Sequence, residues 1–167
     1  MARGLAAAAV ATVLDQVSKY LVLDYFREPG CGAHSAQVNS FLDLVITCNR
    51  GVSFGLFNQG AEFSAMVFSL AATAIVAILI YWLSRVRSFY LAVAIGLIIG
   101  GAIGNVIDRL RLGGVVDFLY FHVGSWYWPA FNLADSAICL GVAAMLLDGV
   151  LAHRDAGQAT GRKDLLP

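Results

Sequence analysis

Charge is scarce in this chain: Asp, Glu, Lys and Arg make up only 13% of its 167 residues, whereas a soluble domain usually carries about a quarter. Residues 63–84 and 88–107 contain none of these four residue types. Each stretch is long enough for a helix to cross about 30 Å of hydrocarbon. The shortage of charge therefore excludes an ordinary soluble domain and predicts an integral membrane protein.

Other features that the sequence lacks exclude further classes of function. The three histidines are dispersed and form no HExxH sequence, so a zinc site is not expected. The formal net charge is zero, and nothing points to nucleic acid as a partner. Of the three cysteines, Cys139 fits a small apolar role inside a helix. Cys31 and Cys48 are able to pair across one loop, but nothing in the sequence requires it.

The apolar segments predict an all-α membrane protein with four transmembrane helices in one membrane-embedded domain, residues 1–153. The helices are expected over residues 4–26, 62–84, 88–107 and 132–152. Arg3 before a short apolar run also resembles a signal peptide, but the apolar character resumes at Tyr20 and favours a retained first helix. Residues 154–167 are polar and are expected to form a disordered cytoplasmic tail.

The turn at residues 84–87 is short and basic. Placing it in the cytoplasm puts both termini there, together with Arg3 and the basic tail. The loops 27–61 and 108–131 then lie on the outer side of the membrane.

Both outer loops contain strand-like segments, at residues 41–47 and 115–128, rich in β-branched and aromatic residues and bounded by turn residues. This pattern predicts a small extracytoplasmic sheet, with a turn at Gly124 and Ser125. In the third helix, Gly96, Gly100 and Gly104 recur every four residues. They indicate either ordinary close packing of helices, which we prefer, or a face that admits a substrate segment.

Asp117 and Asp135 lie eighteen positions apart, beside or within predicted membrane segments. A charge at membrane depth is costly unless it is paired or hydrated, so these residues are functional candidates. Alone, Asp135 fits a helix cap with Asn132, and Asp117 fits a strand residue near the interface. Together, two carboxyls can share a proton, so that one activates water while the other donates. The pair predicts a membrane-embedded aspartyl protease with a coupled dyad.

Two further polar sets interrupt the helices. Asp15 and Lys19 share one face of the first helix and either neutralise each other or support a polar group between helices. Asn105, Asp108 and Arg109 follow directly after a long apolar run. Arg109 alone fits a snorkelling residue that complements the helix dipole, but three polar groups together favour a role in the site.

Five short segments occur in a fixed order within residues 10–150. They are Asp15-Gln16-Val17-Ser18-Lys19, Asn49-Arg50-Gly51-Val52-Ser53-Phe54-Gly55, Gly101-Ala102-Ile103-Gly104-Asn105-Val106-Ile107-Asp108-Arg109, Val116-Asp117-Phe118 and Phe131-Asn132-Leu133-Ala134-Asp135. In this order they resemble lipoprotein signal peptidase (signal peptidase II), a family of bacterial membrane aspartyl proteases. Ser53 departs from the family, which usually has alanine there, and the stretch 29–32 matches no family motif.

The resemblance implies that Asp117 and Asp135 are the catalytic pair of an aspartic endopeptidase. Its expected reaction removes the signal peptide from diacylglyceryl-modified prolipoproteins by cleavage before the lipidated cysteine. The positions implied to bind substrate or support the site are Asp15, Lys19, Asn49, Gly51, Asn105, Asp108, Arg109 and Asn132. The implied fold is four transmembrane helices with an extracytoplasmic β-cradle, in the bacterial inner membrane, with the active site near the outer face.

The resemblance implies no metal or organic cofactor. The expected partners are lipid-modified prolipoproteins and membrane lipids, with the peptide antibiotic globomycin as inhibitor, and a monomer is expected because the site needs one copy. A proton-coupled transporter is the chief alternative, but the chain shows no internal repeat. A structural assembly protein would leave Asp117 and Asp135 replaceable. Ser136 has no suitably placed histidine for a serine protease.

Overall fold

The computed structural model describes residues 1–50 and 61–163. Within them, four helices are long and apolar enough to cross a membrane. Their bounds are α1 Ala2–Tyr25, α2 Ala61–Arg85, α3 Phe89–Leu112 and α4 Leu133–Lys163. The strands β1 His34–Gln37, β2 Leu42–Asn49, β3 Val115–Val123 and β4 Trp126–Tyr127 form one antiparallel sheet in the order β1-β2-β3-β4. The predicted fold class, four membrane helices with a small sheet, is confirmed.

The helix ends follow local signals. α3 begins after Ser88, whose side chain accepts a hydrogen bond from the backbone nitrogen of Leu91, and it ends at Gly113 in the left-handed conformation with φ of 73°. The sequence predicted that α3 ends at residue 107, but no glycine or proline lies between that residue and Gly113. α4 likewise runs to Lys163, beyond the expected end at residue 152 and into the tail that the sequence predicted to be disordered. Gly157 and Gly161 have low helix propensity, so propensity alone did not predict this continuation.

α3 is the centre of the bundle and packs against α1, α2 and α4. Its glycines are the points of closest approach. A side chain at Gly96 or Gly100 would collide with the backbone of α1, and one at Gly101 would collide with the backbone of α4. The glycine stripe is therefore covered by neighbouring helices, which agrees with the packing interpretation and not with an open substrate face.

The sheet packs on one end of the bundle. Ile46 of β2 and Phe118 of β3 form a small buried cluster with Val22 near the end of α1. The pairing of β2 with β3 shifts register between Leu44 and Thr47, where β2 has one extra residue relative to its partner. Such a bulge bends the strand locally, and this one lies directly before the segment that reaches Asp117.

The opposite end of the bundle carries the start of α1 and the turn between α2 and α3. The guanidinium of Arg3 lies 5.2 Å from the centre of the Phe89 ring, which brings these two segments together. Large apolar side chains of α1, α2 and α4 are exposed along the bundle. In a protein whose helices match the thickness of a bilayer, these outward faces are the surfaces that contact lipid.

Candidate active site

Asp117 lies in β3 with its carboxyl group buried. Asn132 Nδ2 donates a hydrogen bond to Asp117 Oδ1 over 2.7 Å, and the side chain of Asn49 donates another. The strand pairing explains the second contact. β2 places Asn49 opposite Val115, so its side chain lies diagonally beside Asp117 on the same face of the sheet.

Asp135 lies in the first turn of α4, where the sequence predicted a helix cap with Asn132. Asn132 Oδ1 accepts a hydrogen bond from the backbone nitrogen of Asp135 over 2.9 Å, and Asp135 Oδ2 accepts one from the backbone nitrogen of Asn132 over 3.3 Å. This is a reciprocal cap. The other oxygen, Asp135 Oδ1, accepts a hydrogen bond from Asn105 Nδ2 over 2.9 Å, so the same carboxylate also faces α3.

Asn132 connects the two carboxyl groups. It is fully buried, and it contacts Asp117 through its side-chain nitrogen and Asp135 through its side-chain oxygen and its backbone nitrogen. The same side-chain nitrogen also lies 3.3 Å from Asn105 Oδ1. Asn105 and Asn132 therefore form an amide bridge that positions both carboxyl groups at the head of α4.

The surroundings of Asp117 favour its protonated form. Burial, followed by the negative charge of Asp135, raises the pKa of Asp117 from 3.8 to about 6. The hydrogen bonds from Asn49 and Asn132 and the positive charge of Lys19 oppose this rise. A carboxyl group with a pKa near 6 exchanges its proton readily close to neutral pH, as a general acid or base requires.

A second polar cluster surrounds Lys19 and meets the first cluster at Asn105. The ammonium group of Lys19 is buried and has three acceptors: Asp108 Oδ2 at 2.7 Å, Asp15 Oδ2 at 2.9 Å and Asn105 Oδ1 at 3.2 Å. The remaining oxygen of Asp15 accepts a hydrogen bond from the backbone nitrogen of Ala134 over 2.9 Å. That nitrogen belongs to the first turn of α4, whose N–H groups have no partner within the helix.

Gln16 is a site residue that the sequence reasoning did not single out. Its Nε2 lies 2.9 Å from Asp108 Oδ1, 3.2 Å from Asp15 Oδ2 and 3.2 Å from the carbonyl oxygen of Gly104. A side chain at Gly104 would collide with the Asp15 carboxylate. The sequence signal that could have identified Gln16 is an uncharged polar residue next to Asp15 within an apolar helix.

Arg109 lies at the edge of the site. Its guanidinium is within electrostatic reach of Asp135, Asp108 and Asp117, and it lies 5.7 Å from the centre of the Phe68 ring. Arg109 Nε is buried without a hydrogen-bond partner among the described residues. The side chain also lines a groove of about 420 Å³ between α2 and α3. The rest of that lining is Ala65, Met66, Ser69, Leu70, Thr73, Val106, Leu110 and Gly113.

A smaller cavity, of about 270 Å³, opens beside Asp117. It is lined by Thr47, Cys48, Asn49, Arg50, Asp117, Pro129 and Ala130. Its polar lining and volume leave room for water next to the carboxyl group. Gly51, another predicted site residue, lies outside the described residues.

The structure thus brings together eight of the predicted residues, from three helices, two strands and the position directly before α4. They are Asp15, Lys19, Asn49, Asn105, Asp108, Asp117, Asn132 and Asp135. In the described part of the chain, no group of three or more His, Cys, Asp or Glu residues is arranged to hold a metal ion. Two neighbouring carboxyl groups with space for water beside one of them form an arrangement of the kind that acid–base hydrolysis requires.

Comparison with known proteins shows which family the chain resembles. A family model described as signal peptidase (SPase) II matches residues 7–151. A lipoprotein signal peptidase of Methylobacterium sp. (strain 4-46) is 40% identical over 161 residues, which cover 96% of this chain and 96% of that protein. A lipoprotein signal peptidase of Rhodopseudomonas palustris (strain ATCC BAA-98 / CGA009) is 45% identical over 153 residues, covering 89% and 92%.

Solved structures give the same picture of the fold. A bacterial membrane enzyme solved by the in meso method at 2.3 Å resolution matches with a TM-score of 0.74 and 25% identity, over 93% of this chain and 92% of that chain. A second, solved at 1.9 Å, matches with a TM-score of 0.73 and 27% identity, over 89% and 92%.

Proposed function

This chain belongs to the signal peptidase II family of bacterial membrane aspartic endopeptidases, and from that premise we propose that Asp117 and Asp135 are its catalytic pair. The family removes signal peptides from prolipoproteins. The observation that carries the proposal is the position of one buried residue, Asn132. Its side-chain nitrogen donates to Asp117 Oδ1, and its backbone nitrogen donates to Asp135 Oδ2. The other predicted residues then support this pair or bind substrate.

The proposed reaction uses one shared proton. The ionised carboxyl group removes a proton from a water molecule in the cavity beside Asp117, and the resulting hydroxide attacks the carbonyl carbon of the scissile peptide bond. The protonated partner donates to the carbonyl oxygen, and the carbon–nitrogen bond then breaks as the leaving amine takes up a proton. The two groups act as a coupled dyad, so neither is assigned a fixed role.

The proposed substrate is a prolipoprotein whose cysteine carries diacylglycerol, cleaved just before that cysteine. Such a substrate is held in the bilayer by its signal helix and its acyl chains, so it approaches from the side. The largely apolar groove between α2 and α3 reaches Arg109 and offers such a lateral path. Globomycin, as an inhibitor of the family, is expected to occupy the same site, and one copy of the chain supplies every residue that the proposal uses.

Two independent features support an outward-facing site. Cys31 and Cys48 form a disulfide at the end of the bundle that carries Asp117, and disulfides persist in oxidising compartments such as the periplasm. Arg3, Arg85 and Arg87 lie toward the opposite end, as the positive-inside rule requires of the cytoplasmic side. We therefore propose that the active site faces outward and that both termini are cytoplasmic.

The direct test is cleavage of a synthetic prolipoprotein by the purified chain in lipid nanodiscs, with the product mass identifying the broken bond. We expect cleavage before the cysteine when it carries diacylglycerol, little or none when it does not, and inhibition by globomycin. Equal cleavage of both forms would contradict the substrate assignment. Wild-type turnover in Asp117→Asn or Asp135→Asn would contradict the catalytic assignment.

A further inference from the structure

The disulfide between Cys31 and Cys48 borders the candidate active site. Cys48 lines the cavity beside Asp117, next to Asn49. The segment that contains Cys31 matched no motif of the family in the sequence, so the disulfide is a feature of this chain that the proposed chemistry does not use. Its contacts show which segments of the chain it holds in place.

The disulfide continues the attachment of β2 beyond the end of its pairing with β1. That pairing stops at His34 and Ile46, whereas β2 extends to Asn49. Cys31 lies three residues before β1, and Cys48 lies two residues beyond the last paired position of β2. The covalent bond therefore ties the final residues of β2 to the segment after α1.

The other side of the disulfide faces the junction between α3 and β3. Cys31 Sγ lies 3.9 Å from the carbonyl oxygen of Leu112, the last residue of α3. At Gly114, an added Cβ would lie 2.6 Å from Cys48 Sγ, so the sulfur packs directly on this turn. β3 begins at the next residue and carries Asp117. The disulfide thus joins the segment before β1 to the end of β2 and packs against the turn between α3 and β3.

Asn49 is the residue through which this attachment reaches Asp117. It follows Cys48 directly, at the end of β2, and its side chain donates a hydrogen bond to the Asp117 carboxyl group. This bond favours the ionised form and therefore lowers the pKa of Asp117. Pairing with β3 holds the end of β2 along one edge, and the disulfide holds it along the other edge. Without the disulfide this end is held from one side only, so the amide of Asn49 is less firmly positioned.

We propose that the Cys31–Cys48 disulfide is a redox-sensitive positioning element that holds Asn49 against Asp117, so that reduction of the disulfide lowers turnover. The proposal rests on the peptidase function proposed above. In the reductive step, a dithiol such as dithiothreitol transfers two electrons and two protons, so that Cys31 and Cys48 become thiols and the dithiol becomes a disulfide. Reoxidation reverses the change.

The first test compares kinetics of the full chain in nanodiscs before and after reduction by dithiothreitol, with a lipidated prolipoprotein as substrate. Reduction should lower kcat about tenfold, as expected for the loss of one positioned hydrogen bond to a charged group, with a KM changed less than about twofold. Reoxidation should restore kcat. Cys31→Ser/Cys48→Ser should have the lower kcat and no response to dithiothreitol, while the control Cys139→Ser should respond like the wild type.

The variant Asn49→Ala tests whether reduction of the disulfide lowers kcat through Asn49. This variant keeps the disulfide but lacks the amide, so it should match the kcat of the reduced wild type and lose most of its response to dithiothreitol. A further tenfold loss on reduction of Asn49→Ala would show that the disulfide acts through another group and would overturn the proposal.

The second test follows the ionisation of Asp117. The charged groups around it are Asp135 from α4, Lys19 from α1, Arg109 from α3 and Arg50 at the edge of the cavity. Reduction of the disulfide removes none of these charged groups. Reduction should raise the pKa of Asp117 above about 6. Because the active pair holds one proton, the alkaline limb of kcat/KM should then move to higher pH.

A purely structural cross-link gives a different result. Reduction would then lower the melting temperature but leave kcat and the pH profile unchanged, with thiol titration confirming that the disulfide is broken. That result would overturn the proposal. Infrared titration of Asp117 needs no turnover, so it separates the two hypotheses. If the oxidised chain cleaves no prolipoprotein, the proposed function fails, whereas an unchanged pKa of Asp117 on reduction contradicts the positioning role.

Discussion

Two groups of buried carboxylates occupy the same end of the bundle, and they differ in what surrounds them. Asp15 and Asp108 share the ammonium group of Lys19, with contacts of 2.9 and 2.7 Å. Asp117 and Asp135 accept hydrogen bonds from amide groups, and in the described part of the chain neither forms an ion pair with a lysine or arginine. Among the described residues, a buried cation therefore directly contacts the carboxylates of the first group and not those of the second.

This difference distinguishes carboxylates that support the structure from carboxylates that are suited to react. A carboxylate that contacts a buried cation and hydrogen-bond donors holds its neighbours in place. A buried carboxylate beside another gains from holding a proton, which is the condition for acid–base chemistry. The Lys19 cluster therefore has the properties of a scaffold, and the Asp117–Asp135 pair has the properties of a catalytic dyad. Asn105 contacts both Lys19 and Asp135, and so joins the two regions.

The largest effect should come from removing charge in the reactive region. Asp117→Asn and Asp135→Asn should each lower turnover of a lipidated prolipoprotein by about 10³- to 10⁴-fold, because each change removes the base or the shared proton. The matched control is Asp24→Asn, the same change at an exposed residue near the end of α1. It should keep wild-type turnover, and a loss of turnover equal to that of Asp117→Asn would show that the assay does not report on the pair.

The supporting region should respond in stability. Lys19→Met leaves Asp15 and Asp108 buried without their shared cation, so it should lower the free energy of unfolding by about 3–5 kcal/mol. Unfolding in mild detergent measures this. Adding Asp15→Asn should restore part of the loss, because one of the two uncompensated charges is then removed. A Lys19→Met protein as stable as the wild type would mean that the cluster does not hold the bundle together.

In the reactive region the expected change in stability has the opposite sign. Because the pKa of Asp117 is raised from 3.8 to about 6, its contribution to stability is fully present below about pH 4 and is lost as pH rises through about 6. Asp117→Asn cannot ionise, so at pH 7 it should be more stable than the wild type by up to about 3 kcal/mol. Melting curves from pH 4 to 8 should converge at low pH and separate above pH 6. Parallel curves would contradict the raised pKa.

The smallest effect belongs to an exposed ion pair of the sheet. His34 Nε2 lies 2.9 Å from Glu28 Oε2, and the His34 side chain is 42% exposed. Pairs of this kind contribute about 0–1 kcal/mol. Glu28→Gln should therefore change the free energy of unfolding by less than about 1 kcal/mol and leave turnover intact. A loss as large as that of Lys19→Met would remove the distinction between buried and exposed pairs.

The sequence was sufficient to predict the fold class because its signals are local. Long stretches without charge predicted the helices, and Gly124 with Ser125 between aromatic segments predicted the hairpin of β3 and β4. The helix bounds were less predictable. α3 continues through Asp108 and Arg109 to Leu112 because polar residues are compatible with a helix, and it ends where Gly113 adopts the left-handed conformation.

The assembly of the site depends on how the helices rotate against each other, which a single sequence does not encode locally. The contacts of Gln16 with Asp15 and Asp108 require α1 to lie against Gly104 of α3. The double role of Asn132, as cap and as bridge, requires β3 to pass the head of α4. The disulfide was one of two open alternatives, because the distance between Cys31 and Cys48 is set by the sheet.

The central claim is that the charge of Asp135 acts on Asp117, and infrared titration of the carboxyl groups tests it most directly. In the wild type, the carboxyl band that is absent from Asp117→Asn should titrate at about pH 6. In Asp135→Asn the neighbouring charge is gone, so the pKa of Asp117 should fall below that of the wild type. An Asp117 that titrates at the same pH with and without the Asp135 charge would contradict the dyad.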